Sequence, residues 1–235
     1  MNLKNLTICL TLSVLLGSTG TSWGGDYEKG LAAAQSGDFA TALKEWMPLA
    51  EQGDFRAQYN LGQMYRDGQG VPQDYKTAMK WYSLAAEQGD GDAQNNLGQR
   101  YADGQGVAQD YKTAVKWFTL AAEQGHPIGQ YNLGWMYANG QGVPQDYKTA
   151  MEWFILSAEQ GDGDAQFNLG FMYGNGQGVP QDNVYAHMWG NIAASHGNEK
   201  GGKLRDFAAK IMTATQIEKA QELAQECVAK KYKGC

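Results

Sequence analysis

Side chains that bind metals or carry out nucleophilic chemistry are scarce in this chain. It holds three cysteines, three histidines and five prolines in 235 residues. His126, His187 and His196 share no metal-ligand spacing on one helix face, and no cysteine partners them, so the pattern of a tetrahedral metal site is missing. Asp90-Gly-Asp92 and Asp162-Gly-Asp164 begin like calcium loops but lack the later oxygen ligands and the distal Glu. They read as turns followed by helix caps. No serine sits in a nucleophile elbow. Gly197-Asn-Glu-Lys-Gly-Gly202-Lys203 has the spacing of a phosphate loop, but Leu204 stands where a hydroxyl would meet magnesium. No cofactor, metal or catalytic residue is expected.

Basic residues are also few, 19 against 25 acidic. They are unevenly placed: Gly25–Gly197 carries 10 basic and 20 acidic residues, net −10, and Asn198–Cys235 carries 8 and 5, net +3. An acidic body argues against a nucleic-acid partner, because phosphate-backbone binding runs on Lys and Arg density. It suits solubility or a basic partner. Long apolar runs are missing as well. The longest, Leu6–Leu16, falls short of the roughly 20 residues a membrane span needs. Lys4 precedes it and small residues follow, the layout of a secretory signal peptide over residues 1–24. Ser22 and Gly24 suit cleavage before Gly25, cleavage after Gly20 competes, and a leader that stays attached is the bland alternative. The expected mature chain has no membrane span, is monomeric, and lies in the periplasm.

Glycine, by contrast, is abundant, with 31 residues, most of them at fixed intervals. A 36-residue unit recurs as Asp54–Gly89, Asp90–Gly125, His126–Gly161 and Asp162–Gly197, and the first two agree at 27 of 36 positions. A period of this length marks stacked helical hairpins. In the first unit Ala57, Leu61 and Tyr65 lie on one helix face, and Gly62 beside them admits a close neighbour. Asp67-Gly-Gln-Gly-Val71 ends that helix and Asp74 caps the next. Tyr75, Ala78, Trp81, Leu84 and Ala85 then give a second amphipathic helix that closes at Gly89. Trp81, Trp117, Trp153 and Trp189 are expected to wedge between the two helices of each hairpin. One hairpin cannot offset the entropy of ordering its own residues, so its outer faces must bury against neighbours.

The pattern Ala57-x-x-x-Leu61-Gly62-x-x-Tyr65-x-x-Gly68-x-Gly70-Val71, then Asp74-Tyr75-x-x-Ala78-x-x-Trp81-x-x-x-Ala85-Ala86-x-x-Gly89, resembles the Sel-one-like repeat family (SLR), a branch of the tetratricopeptide-type solenoids. The resemblance implies an all-α right-handed α-α superhelix and a non-enzymatic interaction scaffold or adaptor of the bacterial envelope. Residues 25–53 resemble a shorter unit, with Gly30, Leu31 and Ala34 on one helix and Phe39, Ala42, Trp46 and Ala50 on the next. Residues 198–235 are expected to cap the stack. Val184, Tyr185 and Met188 are apolar where earlier units are polar, and Lys200–Met212 and Gln216–Lys230 are the covers for them. Arg205-Asp206 and Met212–Ala224 also resemble the ending of SLR arrays. Thr215-Gln-Ile-Glu218 reads as a capping box. Cys227 and Cys235 form a disulfide only if the last helix ends near Lys230 and the chain turns back; two free thiols are the alternative.

In tetratricopeptide-type stacks the first helices line the inner curve. Opposite the core side lie Gln63, Gln99, Trp135 and Phe171, a strip that changes while the frame stays fixed. Trp135 and Phe171 are aromatic anchors suited to a protein or peptide partner. Arg66 flanks the strip, and Met64 and Met136 would add adaptable contacts. Tyr59, Tyr131 and Phe167 are expected to pack on the next repeat. Two other functions compete: a binder of cell-wall or glycan fragments, and a weak β-lactamase-like hydrolase by analogy with cysteine-rich SLR proteins, whose cysteine pairs are missing from these units.

Overall fold

The structure, a computed structural model, describes residues 25–235; the expected leader lies outside the described residues. Those residues form twelve helices and no strand. A short hairpin of α1 (Tyr27–Gln35) and α2 (Phe39–Glu51) comes first. Four long ones follow: α3 (Phe55–Asp67) with α4 (Tyr75–Glu87), α5 (Gly91–Asp103) with α6 (Tyr111–Glu123), α7 (Pro127–Asn139) with α8 (Tyr147–Ala158), and α9 (Gly163–Asn175) with α10 (Asn183–Ser195). Then come α11 (Glu199–Ala209) and α12 (Ala214–Ala229). Each helix from α1 to α10 packs on the one that follows it, which makes the fold an all-α solenoid.

Local chemistry sets the helix ends. Asp54, Asp90 and Asp162 cap first helices by accepting backbone N–H bonds. His126 does the same with Nδ1, which accepts from Gly129 N–H at 3.0 Å. Asp74 caps α4 and also accepts from the Thr77 hydroxyl at 2.7 Å, a bond repeated at Asp110 and Asp146. The turn between helices needs two glycines. Gly140 has φ 65° and ends α7. Gly142 has φ 74°, and a Cβ there would lie 2.3 Å from the Tyr111 carbonyl oxygen, so this turn rests directly on the backbone of the preceding hairpin.

The tryptophans sit elsewhere than expected. The ring over Gly62 is Tyr82, and Phe118 and Phe154 cover Gly98 and Gly134 in the same way. These rings, one residue past each tryptophan, are the fully buried ones. The tryptophans point about 100° away and seal joints between hairpins. Trp81 packs with Ala42 and Trp46, Trp117 on the cluster around Ala78 and Tyr82, and Trp153 on that around Ala114 and Phe118. Trp46 belongs to the Tyr82 register, since its ring covers Gly30.

A second joint runs through glutamine. Gln58, Gln94, Gln130 and Gln166 are buried, and each Nε2 donates to a carbonyl at the end of the preceding hairpin, from Ala50, Ala86, Ala122 and Ala158. Each Oε1 accepts from the far end of its own hairpin: Gln88, Gln124 and Gln160 at 2.7–2.8 Å, then His196 Nδ1 at 2.7 Å. A buried amide is tolerated because both of its ends are paired. The sequence pattern gave no sign of this ladder beyond the recurrence of glutamine itself.

The stack ends by changing its frame. Gly190 stands where a ring is due, and Leu204 of α11 reaches over Gly170 instead. Gly190 and Gly201 let α10 and α11 approach backbone to backbone. Met188 is buried, and Val184 and Tyr185 are half-buried. α12 packs on α10 rather than pairing with α11. Its capping box is Thr213 with Gln216, not Thr215 with Glu218: Gln216 N–H donates to Thr213 Oγ1 at 3.3 Å and Thr213 N–H to Gln216 Oε1 at 2.9 Å. Thr213 has the extended backbone a cap requires, whereas Thr215 lies inside the first turn. Lys231, Tyr232 and Gly234 adopt positive φ and turn the chain back, and Cys227 and Cys235 are bridged with Cα atoms 5.5 Å apart. No described helix is long and apolar enough to cross a membrane.

Candidate functional site

The strip on the first helices carries exposed aromatic side chains. Trp135 on α7 is 39% exposed and Phe171 on α9 is 44% exposed. Phe207 on α11, another 36 residues on, is 63% exposed. α11 therefore continues the first-helix register: its N-cap Asn198 lies 36 residues after Asp162 and accepts from Gly201 N–H at 3.0 Å. Treating this segment only as a cover hid Phe207, although the repeat length alone would have found it. Phe171, Leu204, Phe207 and Ile211 line a small recess of about 170 Å³.

A larger recess, about 390 Å³, opens between the second and third long hairpins. It brings Gln99 and Trp135 together with Asp103, Tyr111, Tyr131 and Asn132. Gln99 Nε2 donates to Asp103 at 3.0 Å. Burial pushes the Tyr131 phenol up, so it stays a neutral hydroxyl. Among the described residues no three His, Cys, Asp or Glu side chains are grouped to hold a metal.

Other expected site residues lie elsewhere. Met64 and Met136 are 2% and 1% exposed and belong to the core. One step along the helix from Gln63 or Trp135 rotates the side chain inward, and i+3 spacing puts Met64 on the Leu61 face. Gln63 is half-buried in the first long hairpin. Arg66 is tied down: Nε and Nη2 donate to the Asp67 carboxylate at 2.7 and 2.6 Å, and Nη1 to Asn96 of the next hairpin at 3.3 Å. Tyr59 and Tyr131 pack on clusters that include the next repeat, with Ala93 and Leu97 for Tyr59 and Ala165 and Leu169 for Tyr131; they also lie on the buried rings of their own hairpins, Tyr82 and Phe154, with centroids 5.9 and 5.8 Å apart.

The Sel1 repeat family model matches residues 55–90, 91–126, 127–162 and 163–198, more than half of the chain. The chain belongs to the Sel1 repeat family. A Sel1 repeat protein from Oxalobacter formigenes is 28% identical over 84% of this chain and 85% of its own, with a TM-score of 0.72. A protective antigen present in uropathogenic Escherichia coli strains, displaying an SLR fold, is 38% identical over 85% of this chain and 45% of its own, with a TM-score of 0.76. No curated protein matches. Sel1 repeat proteins are in general non-enzymatic scaffolds for protein–protein interaction.

Proposed function

We propose that this Sel1 repeat protein is an adaptor of the bacterial envelope, exported to the periplasm, that captures an extended segment of a partner protein along its first helices. The row Trp135, Phe171 and Phe207 carries this reading. Three large apolar rings stay in solvent at one repeat position while the matching positions of the frame are buried. Aromatic anchors of this kind dominate protein interfaces. Crosslinking pull-down from envelope extracts tests it. The triple variant Trp135→Ala, Phe171→Ala, Phe207→Ala is expected to lose its partner with an unchanged helical circular dichroism spectrum. Retention of the partner would remove the strip from the proposal.

The recess beside Trp135 favours a second reading. A ring next to amide and carboxylate side chains also suits stacking on a sugar, so wall or glycan fragments are the alternative ligand. Calorimetry that returns no heat with such fragments would dismiss it. The hydrolase reading finds no Ser, Thr, Cys or Lys side chain lining this recess.

A further inference from the structure

The recess between the second and third long hairpins has a filled counterpart one repeat earlier. Thirty-six residues separate Arg66 from Ala102, Asp67 from Asp103, Asn96 from Asn132 and Tyr82 from Phe118. In the earlier joint the Arg66 guanidinium grips the Asp67 carboxylate through two nitrogens and reaches across to Asn96 with a third. That guanidinium also holds the Asp67 carboxyl below the usual carboxylate range. In the later joint Ala102 supplies no such side chain. The carboxylate and the amide remain, about 390 Å³ stands open between them, and Tyr111, Tyr131 and Trp135 add rings. No lysine or arginine lines that space. Asp103 accepts a side-chain bond from Gln99, an uncharged donor. In the two repeats beyond, the carboxylate is replaced by Asn139 and Asn175. The second repeat is therefore the one that keeps the carboxylate while giving up its guanidinium.

We propose that this recess is an arginine-binding site. It takes the guanidinium of an arginine presented by the partner's extended segment, pairs it with Asp103 and Asn132 as Arg66 pairs with Asp67 and Asn96, and lays the stem of the side chain along Trp135 and its neighbouring rings. A planar fork fits this template better than an ammonium, because the internal example binds its carboxylate through two nitrogens at once. Rings beside the site add cation–π attraction. The acidic body of the chain draws a basic segment towards it. The inference rests on the adaptor reading and names the chemistry of its partner.

The test uses the full mature chain and fluorescein-labelled Gly/Ser nonapeptides with one central arginine, lysine, citrulline or glutamate, followed by fluorescence anisotropy at low salt. The arginine peptide is expected to bind. Citrulline, which keeps the shape and loses the charge, should bind at least about tenfold more weakly, and lysine should fall between them. Ala102→Arg should fill the recess from within and weaken the arginine peptide by a similar factor, and Asp103→Asn should do the same. Arg66→Ala should open the earlier joint and raise the stoichiometry towards two. Circular dichroism checks that each variant folds; if Ala102→Arg does not, Asp103→Asn decides. Equal binding of arginine and citrulline peptides, no binding of either, or indifference to both Ala102→Arg and Asp103→Asn overturns the site. If the natural partner is lost on removal of the three rings yet kept by Asp103→Asn and Ala102→Arg, the adaptor stands and the arginine site falls.

Discussion

The third and fourth long hairpins share one frame but are closed differently. In the third, Phe154 of the second helix lies over Gly134 of the first, so the hairpin fills its own core. In the fourth, Gly190 removes the ring, and Leu204 of the following helix covers Gly170. Met151 becomes His187, exposed Glu152 becomes buried Met188, and Gln160 becomes His196. An interior hairpin leaves its neighbour a standard joint of tryptophan, glutamine and turn glycine. The last hairpin is completed by its cap and cannot be exchanged with the others. A solenoid thus ends by rewriting a few frame positions so that the missing volume must come from the next element.

The largest effect that would break this contrast comes from the interior ring. Phe118→Ala or Phe154→Ala should cost about 3–5 kcal/mol in urea unfolding, because the ring is fully buried against a glycine that cannot move in to replace it. Gly190→Phe, which restores the interior residue, should not stabilise the fourth hairpin; it should displace α11 and make residues 199–212 open to protease. Even Gly190→Ala should cost about 1–3 kcal/mol, since its Cβ would lie 2.9 Å from backbone atoms of both Arg205 and Gly201. A stabilised Gly190→Phe would show the two closures to be interchangeable.

Two further changes sharpen the picture of the cap. Cys227→Ser with Cys235→Ser opens a small ring and should cost roughly 2 kcal/mol, felt as loosening of α12 over α10 in hydrogen exchange while the interior hairpins keep their protection. Gln94→Met keeps the volume but removes two cross-joint bonds, leaving the Ala86 carbonyl with Gly89 N–H and the Gln124 amide with the Leu120 carbonyl, and should cost about 1–3 kcal/mol at an interior joint.

The smallest effect is the pH response of the fourth hairpin. His187 is buried, and burial, aided by the Arg205 charge and partly opposed by Asp206, holds its pKa below the ordinary 6.5. Its Nδ1 has no hydrogen-bond partner. The unfolded chain therefore takes up the proton more readily than the folded one. The contribution to stability is present above about pH 6.5 and is lost as pH falls towards the depressed folded value. His187→Met restores the residue type of Met79 and Met151 and should flatten the dependence of the urea midpoint between about pH 7.5 and pH 5.

Much of this molecule was legible from sequence because its signals are local. Aspartate caps, glycine turns and the 36-residue period act within a few residues of chain, and the structure places α3 to α10 where those signals put them. The exposed pair Trp135 and Phe171 was legible too, since variation at one position of a fixed frame marks a surface. Errors arose wherever one residue of helix phase mattered. Met64 against Gln63, and Trp81 against Tyr82, differ by about 100° of rotation, and pattern alone does not say which of two adjacent apolar residues turns inward.

By itself, then, the chain determined its repeat, its helices, their caps and the existence of a solenoid, because these depend on backbone angles and on side chains three or four residues apart. Tertiary structure alone decided which ring closes a hairpin, that buried glutamines bind hairpin to hairpin, and that α12 lies on α10. It also decided that Arg66 fills one joint while the same joint a repeat later stands open. These outcomes depend on groups some 30 residues apart that meet only when one hairpin is laid on the next, and on how much volume each leaves for the other.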